Sequence, residues 1–211
     1  MIDAIIRIAV LLFAVTIHGY SHGKASLSLG DPTAKNAGRL TLNPIRHIDP
    51  VGAVCMYLFG VGWAKPVPVN ISYFTNRRKD TILMAISGPV SNLAAAFVSG
   101  LLIRVYDIPI DIYRLILVNM VLLNIGLGLF NLIPIPPLGG SHVLENILPD
   151  RVASGYQKIR RYAPMVFLGI LIADHFLKFN IFGRILYYPI IVTAELFAGP
   201  KFFNLLRMYR F

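Results

Sequence analysis

Long apolar segments separated by shorter polar ones dominate this chain. A helix needs about 20 predominantly apolar residues to cross a bilayer, and the sequence offers candidates at residues 2–18, 81–106, 114–138, 163–179 and 181–197. The last two are short and meet at Asn180, so they are either two spans joined by a tight turn or one span and a surface helix. The first lacks the basic start and the small-residue cleavage site of a signal peptide. The pattern predicts an all-α membrane protein, a polytopic bundle of about five transmembrane helices.

Composition supports a membrane location. The 211 residues are 56% hydrophobic and only 14% charged, which is outside the usual range of soluble domains. The net charge of +10 does not indicate nucleic-acid binding, because the cations lie between the apolar runs and the aromatic residues belong to those runs. We therefore expect a lipid bilayer around the protein and no nucleic-acid partner.

Lysine and arginine are distributed unevenly among the predicted loops. Short loops rich in these residues stay in the cytoplasm. Residues 24–80, the loop after the third span and the tail after the fifth carry most of the cations, and the opposite loops carry few. If there are five spans, these regions share one side of the membrane. The distribution therefore predicts a multi-pass protein of the cytoplasmic membrane, with the amino terminus outside and the carboxyl terminus in the cytoplasm.

The region between the first two spans contains an apolar stretch at 51–64 that is too short to span. It either re-enters the membrane or forms short strands. Residues 65–70, KPVPVN, are typical of an extended segment, because proline fixes its own φ and biases its predecessor toward extended conformations. An extended edge suits pairing with an extended peptide. In the second span, Gly88 and Pro89 predict a break in the helix.

Two histidines close the first apolar segment. His18 and His22 are four residues apart, so on a helix both rings point the same way, as a divalent metal requires. The zinc-hydrolase pattern HExxH has a glutamate after the first histidine as general base, and this chain has Gly19 there. A structural histidine pair is the alternative interpretation.

A second motif, NLIPIPPLGGSH at 131–142, follows the third span at the same predicted depth as the histidines. Its three prolines within four residues cannot continue a regular helix, and irregular backbone at membrane depth is tolerated only where protein or a cavity satisfies it. The motif is either a cavity wall or a helix stop, in which two glycines form a turn and Ser141 caps the next helix.

Together these motifs resemble the site-2 protease family of intramembrane zinc metalloproteases, in particular its small prokaryotic branch without a PDZ domain. The resemblance covers most of a metalloprotease-like core at 1–145, and carboxyl-terminal helices at 146–211 complete a single membrane domain. The segments that carry it are HGYSH at 18–22, LGDPTAK at 29–35, GRLTLNP at 38–44, HIDP at 47–50, GWAKPVP at 62–68, the Gly88–Pro89 pair and NLIPIPPLGG at 131–140.

The resemblance implies a role for each matched residue. It makes His18 and His22 ligands of one zinc ion per chain, and it places Asn131 where the scissile carbonyl is polarised. The implied partner is a transmembrane or membrane-proximal peptide of another protein in a prokaryotic cell membrane. The residues expected to contact that peptide are Lys65, Pro66, Val67, Pro68, Gly88, Pro89 and Asn92.

Both positions that would supply a carboxylate are glycine. Gly19 replaces the family's general base, whose loss typically costs about 100- to 10,000-fold in rate. Gly139 replaces the third zinc ligand, although catalytic zinc usually keeps three protein ligands plus water. His142 lies about one helical turn past Gly139 and is a candidate substitute ligand, with Glu145 as a candidate base beside it.

His47 and Asp49 are a second pair of candidates to replace the general base and the third zinc ligand. Three functions then remain open: an intramembrane protease with altered ligation, a pseudoprotease that binds membrane-protein segments without cutting them, and a metal-handling protein in which the histidines bind an ion in transit. No inverted repeat supports the third. Because the missing base alone carries a large cost, we expect impaired or absent hydrolysis.

Overall fold

The computed structural model describes residues 2–59, 63–106, 109–160 and 162–208. Within these ranges the chain is helical, and the prediction of an all-α protein is confirmed. The α-helices are α1 (Ile2–Ser28), α2 (Thr33–Asn36), α3 (Pro50–Phe59), α4 (Arg77–Val105), α5 (Asp111–Leu132), α6 (Gly139–Ile147), α7 (Asp150–Arg160), α8 (Ala163–Leu177), α9 (Ile181–Ala198) and α10 (Lys201–Met208).

Four of the described helices, α1, α4, α5 and α9, are long and apolar enough to cross a membrane. The fourth predicted span, at 163–179, corresponds to α8, which has only 15 residues. At 1.5 Å per residue it is about 22 Å long, shorter than the hydrocarbon core of about 30 Å. Left-handed backbone at Lys178 and Asn180 separates it from α9. The described residues therefore provide four candidate spans.

The order of contacts gives the direction of each span. Helix α1 runs antiparallel to α4, since Ala14 contacts Asn92 and His18 contacts Gly88. Helix α5 also runs antiparallel to α4, since Asn124 contacts Asn92 and Gly128 contacts Pro89. Helix α9 runs antiparallel to α5, since Phe182 packs on Phe130 at the beginning of α9 and the final turn of α9 lies beside the final turn of α4, where Arg104 donates to the Leu196 carbonyl at 2.8 Å.

This arrangement bears on the predicted sidedness. Because α9 is parallel to α4 and α1 is antiparallel to it, the carboxyl end of α9 and the amino end of α1 lie at the same end of the bundle. The prediction that the two termini lie on opposite sides of the membrane depended on an additional span between α5 and α9. A fifth span there would reverse the direction of α9, which is antiparallel to α5 in this structure.

The apolar core lies at the end of the bundle away from the two histidines. It joins α4, α5, α9 and α10 through buried Ala96, Ile103, Leu117, Val118, Val121, Ile125, Ala194, Ala198 and Phe202. Gly100 permits the close approach of α9, because a Cβ atom there would lie 2.8 Å from the backbone of Phe197. This core fixes the relative positions of α4 and α5, on which the candidate site depends.

The predicted break at Gly88 and Pro89 is wrong, because α4 continues without interruption from Arg77 to Val105. Pro89 has no N–H to give to the Ala85 carbonyl, so one intrahelical hydrogen bond is lost. Within a membrane bundle, neighbouring segments and serine hydroxyls re-satisfy such a helix. Here the Ser91 hydroxyl donates to the Gly88 carbonyl at 2.7 Å, and the Ala85 carbonyl faces the start of α6.

The apolar stretch at 51–64 is mainly helical. Helix α3 covers its first part, residues 60–62 lie outside the described ranges, and Ala64 forms a single antiparallel bridge with Ile48. The prediction of a short strand or re-entrant region thus corresponds to a ten-residue helix and one bridge. The bridge is the point where the 65–70 segment begins.

Candidate metal centre

Helix α1 presents two adjacent faces to the rest of the protein. His18 and His22 occupy one face, with ring centroids 4.9 Å apart, and face α4. Gly19 and Gly23 occupy the other face and contact Val67 of the 65–70 segment. The four-residue spacing of each pair produces this arrangement, because residues i and i+4 share a face of a helix.

Asn92 of α4 orients His18. The Asn92 side-chain nitrogen donates to the Ala14 carbonyl and to the Asn124 side-chain oxygen, both at 2.9 Å, so its own oxygen is an acceptor. That oxygen lies 2.6 Å from His18 Nδ1, which must therefore carry the proton. Nε2 is then left with a free lone pair, the arrangement usual for a metal-ligating histidine. In this structure Nε2 lies against Gly88, where a Cβ atom would be 2.5 Å away.

The three positions expected from the sequence to be zinc ligands, 18, 22 and 139, converge on one turn of α4. His18 lies against Gly88, His22 lies near the backbone of Met84, and a Cβ atom on Gly139 would lie 3.2 Å from the Ala85 carbonyl oxygen. That carbonyl is the one released by Pro89. The structure thus brings together the two motifs that the sequence placed at the same depth.

The residues at this point do not fit a catalytic zinc ion. Two imidazoles are present, and Gly139 supplies no donor. Over residues 2–59, 63–106, 109–160 and 162–208, no three His, Cys, Asp or Glu side chains are grouped to hold a metal ion. His142 interacts electrostatically with His22, whereas Glu145 accepts a hydrogen bond from Gln157 of α7 at 2.8 Å.

The position next to Gly19 is taken by His47. A Cβ atom on residue 19 would lie 2.6 Å from His47 Nδ1, and His47 as a whole is only 1% exposed. His47 Nε2 lies 2.8 Å from the Thr41 carbonyl and must donate to it, so Nδ1 carries the lone pair. An imidazole therefore lies close to where the family's glutamate would project. Asp49, the other candidate replacement, accepts a hydrogen bond from the backbone N–H of Gly52 in α3.

The residues expected to contact a peptide fall into two groups. Lys65 and Pro66 are exposed and Val67 and Pro68 half-buried, all in a non-helical segment along α1. Gly88, Pro89 and Asn92 are buried inside the bundle. The burial of Asn92 suits the orientation of His18 better than contact with a peptide. Asn131, at the end of α5, donates to the Leu127 carbonyl of its own helix at 2.9 Å.

Replacing Asn92 by leucine should destabilise the junction of α1, α4 and α5. The change removes three hydrogen bonds and leaves polar groups of His18 and Asn124 unpaired. Side-chain hydrogen bonds in membrane bundles average about 0.6 kcal/mol, so we expect a loss of about 2 kcal/mol. Unfolding in mixed micelles measures it, with Asn146→Leu as control, because the described hydrogen bond that Asn146 donates stays within α6. Equal losses in both variants would contradict a special role for Asn92.

Asp31, just after α1, is a functional candidate that the sequence analysis missed. It is fully buried and accepts hydrogen bonds from the Ser26 hydroxyl, the Thr33 backbone and hydroxyl, and the Asn70 backbone. Burial by itself raises the pKa of this carboxyl, but the hydrogen bonds outweigh it and lower the pKa. The local signal was readable, since an Asp two residues before a Thr across a proline favours an Asx turn.

The lowered pKa of Asp31 predicts a loss of stability in acid. Because the folded chain releases this proton more readily than the unfolded chain, the stabilisation is complete above about pH 4, the ordinary Asp pKa, and is lost as the pH falls through the folded pKa. Thermal unfolding of the native chain and Asp31→Asn from neutral pH into this acid range measures the effect. The difference between them should shrink as the pH falls, and a constant difference would contradict the assignment.

Comparison with known proteins places the chain among the metalloproteases. The profile of Peptidase family M50 matches residues 108–173. The chain is 36% identical over 173 residues to "Putative zinc metalloprotease YwhC" of Bacillus subtilis, covering 77% of this chain and 78% of the relative. It is 25% identical over 175 residues to "Putative zinc metalloprotease Rip2" of Mycolicibacterium smegmatis, covering 80% of this chain and 67% of the relative.

A protein of the same name from Mycobacterium tuberculosis is 28% identical over 171 residues, covering 78% of this chain and 65% of the relative. A search of solved structures gave no match. These similarities agree with the helical membrane architecture and with the two converging motifs. The chain therefore belongs to the site-2 protease family of zinc metalloproteases, peptidase family M50.

Proposed function

We propose that this chain is a pseudoprotease, a membrane-embedded member of its family that binds transmembrane or membrane-proximal segments of other proteins without cleaving them. The observation that carries the proposal is the pair of glycines, Gly19 and Gly139, at the positions of the general base and the third ligand. Metal-assisted hydrolysis needs a metal that acidifies water and a group that takes its proton. Neither position carries a carboxylate that could bind the metal or take the proton from water.

The surroundings of the two glycines support this proposal. Gly139 packs against the backbone of α4 and α5, with the carbonyl oxygens of Ala85 and Asn131 within 3.3 Å of a Cβ position. Gly19 lies against His47 and Val67. A Cβ atom at either glycine would therefore lie in close contact with a neighbouring group.

The 65–70 segment supports peptide binding. Val67 and Val69 have no backbone hydrogen-bond partner among the described residues. Prolines at 66 and 68 lack an N–H, which is typical of an edge that pairs on one side only. A partner that adds an extended strand to such an edge gains main-chain hydrogen bonds whatever its side chains are. The occupant that fits is a membrane-protein segment unwound into an extended conformation.

A second candidate, an active protease with altered ligation, is favoured by one observation. His47 Nδ1 offers a lone pair beside Gly19, and the Thr41 carbonyl fixes its tautomer. An oriented imidazole is a competent general base. This candidate predicts slow cleavage that disappears in His47→Ala, whereas the pseudoprotease predicts none in either protein.

A binding experiment with a defined peptide tests both candidates. The probe is a fluorescent, lysine-flanked leucine–alanine transmembrane peptide with a central Asn-Gly pair, added to the chain in lipid nanodiscs. We expect saturable binding and an intact probe by mass spectrometry after prolonged incubation. Val69→Pro removes one donor of the free edge and should weaken binding about tenfold, as the loss of a hydrogen bond of about 1.4 kcal/mol would. Probe fragments from the native chain would contradict the pseudoprotease.

We also propose that the amino terminus lies outside and that the end of the bundle bearing the histidines faces the cytoplasm, where the cations of residues 24–80 gather. Reporter fusions test this. A periplasmic reporter should be active at residue 108 and a cytoplasmic one at residue 148. A fusion at residue 211 counts the spans, because four place it outside and five place it in the cytoplasm.

A further inference from the structure

We propose that Asp31 and Arg39 are positioning residues that hold the 65–70 segment in one register along α1, and thereby determine which backbone groups meet an incoming peptide. This inference rests on the proposed peptide-binding function and assigns the residues that prepare the site for it. Neither residue belongs to the metal centre. Each acts through the backbone of the segment, one at either end.

Arg39 holds the beginning of the segment. Its guanidinium Nη2 donates to the Lys65 carbonyl at 2.8 Å, while the Lys65 N–H donates to the His47 carbonyl at 2.9 Å. Arg39 is 5% exposed, and its buried Nε has no hydrogen-bond partner among the described residues. Burial of a cation is costly, and burial lowers the pKa of this guanidinium. The described hydrogen bond that compensates the burial of this cation is the one to the Lys65 carbonyl of the segment.

Asp31 holds the far end. One carboxylate oxygen, Oδ2, accepts from the Ser26 hydroxyl of α1 at 2.7 Å and from the Asn70 N–H at 2.8 Å. The other oxygen, Oδ1, accepts from the backbone N–H and hydroxyl of Thr33. A single carboxylate therefore connects the last turns of α1 directly to the end of the segment.

Val67 lies midway between the two attachments. Its methyl groups lie 3.5 Å and 3.8 Å from the Cβ positions of Gly19 and Gly23. Side chains alternate along an extended chain, so a slip by one residue would turn Val67 away from the two glycines, and a slip by two would bring Val69 into its place. The register therefore depends on three contacts. Two of them hold the ends and leave the N–H and C=O groups of Val67 and Val69 free for a partner.

Disulfide trapping measures the register directly. In a Cys55→Ser background, Gly23→Cys with Val67→Cys should form a disulfide on mild oxidation, and Gly23→Cys with Val69→Cys should not. Adding Arg39→Met or Asp31→Asn should lower the yield of the first pair and raise that of the second. Unchanged yields in these variants would overturn the proposal.

Matched control variants distinguish a change in the register of the 65–70 segment from a general loss of protein stability. Arg46→Met removes an exposed arginine of the same loop. Asp80→Asn alters a buried carboxylate that accepts from the Asn76 N–H at 2.8 Å and does not contact the segment. Neither should change the disulfide pattern, even where the melting temperature falls. A pattern that shifts equally in Asp80→Asn would mean that any loss of stability frees the segment, which contradicts the proposal.

Binding of the leucine–alanine probe connects the register to function. Without the added cysteines, Arg39→Met and Asp31→Asn should each raise the Kd about tenfold or more, and Arg39→Lys, which keeps a donor, should recover part of the affinity. A shifted disulfide pattern with an unchanged Kd would overturn the role in binding. A native chain that binds no probe would contradict the proposed function, and the disulfide pattern would still decide whether Asp31 and Arg39 set the register.

Discussion

Restoring both carboxylates, as Gly19→Glu with Gly139→Asp, is expected to create a zinc site that the native chain lacks. Positions 18, 22 and 139, the expected zinc ligands, already converge on residues 84–88 of α4, and the tautomer of His18 leaves Nε2 free to bind a metal. An aspartate at 139 adds the third protein ligand that catalytic zinc usually has. Elemental analysis of the purified protein should rise from near zero to about one zinc per chain.

The two single variants should differ, because the glycines have different neighbours. A Cβ atom at 139 would lie 3.2 Å from the Ala85 carbonyl oxygen, which requires shifts of a few tenths of an ångström. A Cβ atom at 19 would lie 2.6 Å from His47 Nδ1, so the buried ring must turn. We expect Gly139→Asp alone to bind zinc and Gly19→Glu alone to bind none and to lower the melting temperature. Adding His47→Ala to Gly19→Glu should recover part of that temperature.

Peptide cleavage should appear only in the double variant, which has both a third ligand and a general base. Gly19→Glu with Gly155→Asp is the matched control, because Gly155 has no neighbour within 4 Å of a Cβ position and the added carboxylate there is far in sequence from the motif. His22→Ala in the double variant should abolish zinc binding. If the double variant remains free of zinc while folded, residues 18–22 and 131–140 do not form one centre.

The sequence predicted the helices and the motifs better than the partners of each side chain. Helical spacing is sufficient to place His18 and His22 on one face, because periodicity is a local property. It does not say which helix that face meets, so the hydrogen bond between Asn92 and His18 could not be predicted from the sequence. Proline at 89 predicted a break because a proline's local effect is the loss of one hydrogen bond, and packing in the bundle overrides that loss.

Among the contacts of the 65–70 segment, too, the local ones can be predicted from the sequence and the long-range ones cannot. Asp31 caps a turn with Thr33 two residues away, and such a turn can be identified from sequence. The bond between Arg39 and Lys65 joins residues 26 positions apart, and that between Asp31 and Asn70 joins residues 39 positions apart. No pattern in composition or hydropathy specifies such pairs, since they depend on how the loop folds back over α1. The same holds for His47, whose approach to Gly19 becomes visible only in three dimensions.

Gly88→Ala is expected to disrupt the centre more than its single methyl group suggests. A Cβ atom at this position would lie 2.5 Å from His18 Nε2 and 2.6 Å and 2.7 Å from two ring carbons. The ring cannot simply withdraw, because Asn92 holds Nδ1 at 2.6 Å. Overpacking of this kind typically costs about 1–3 kcal/mol. Thermal unfolding should show the loss, and in the double carboxylate variant the same substitution should remove zinc.

Gly169→Ala provides the control for Gly88→Ala, since a Cβ atom at Gly169 meets nothing within 4 Å. Alanine is favoured over glycine inside a helix by about 0.5–1 kcal/mol, so this variant should not lose stability. The leucine–alanine probe then separates two roles for Gly88. If Gly88 serves only to admit the His18 ring, the folded fraction of Gly88→Ala should bind the probe with native affinity, because Val67 and Val69 are untouched. A large loss of affinity with little loss of stability would instead support the direct peptide contact predicted from the sequence.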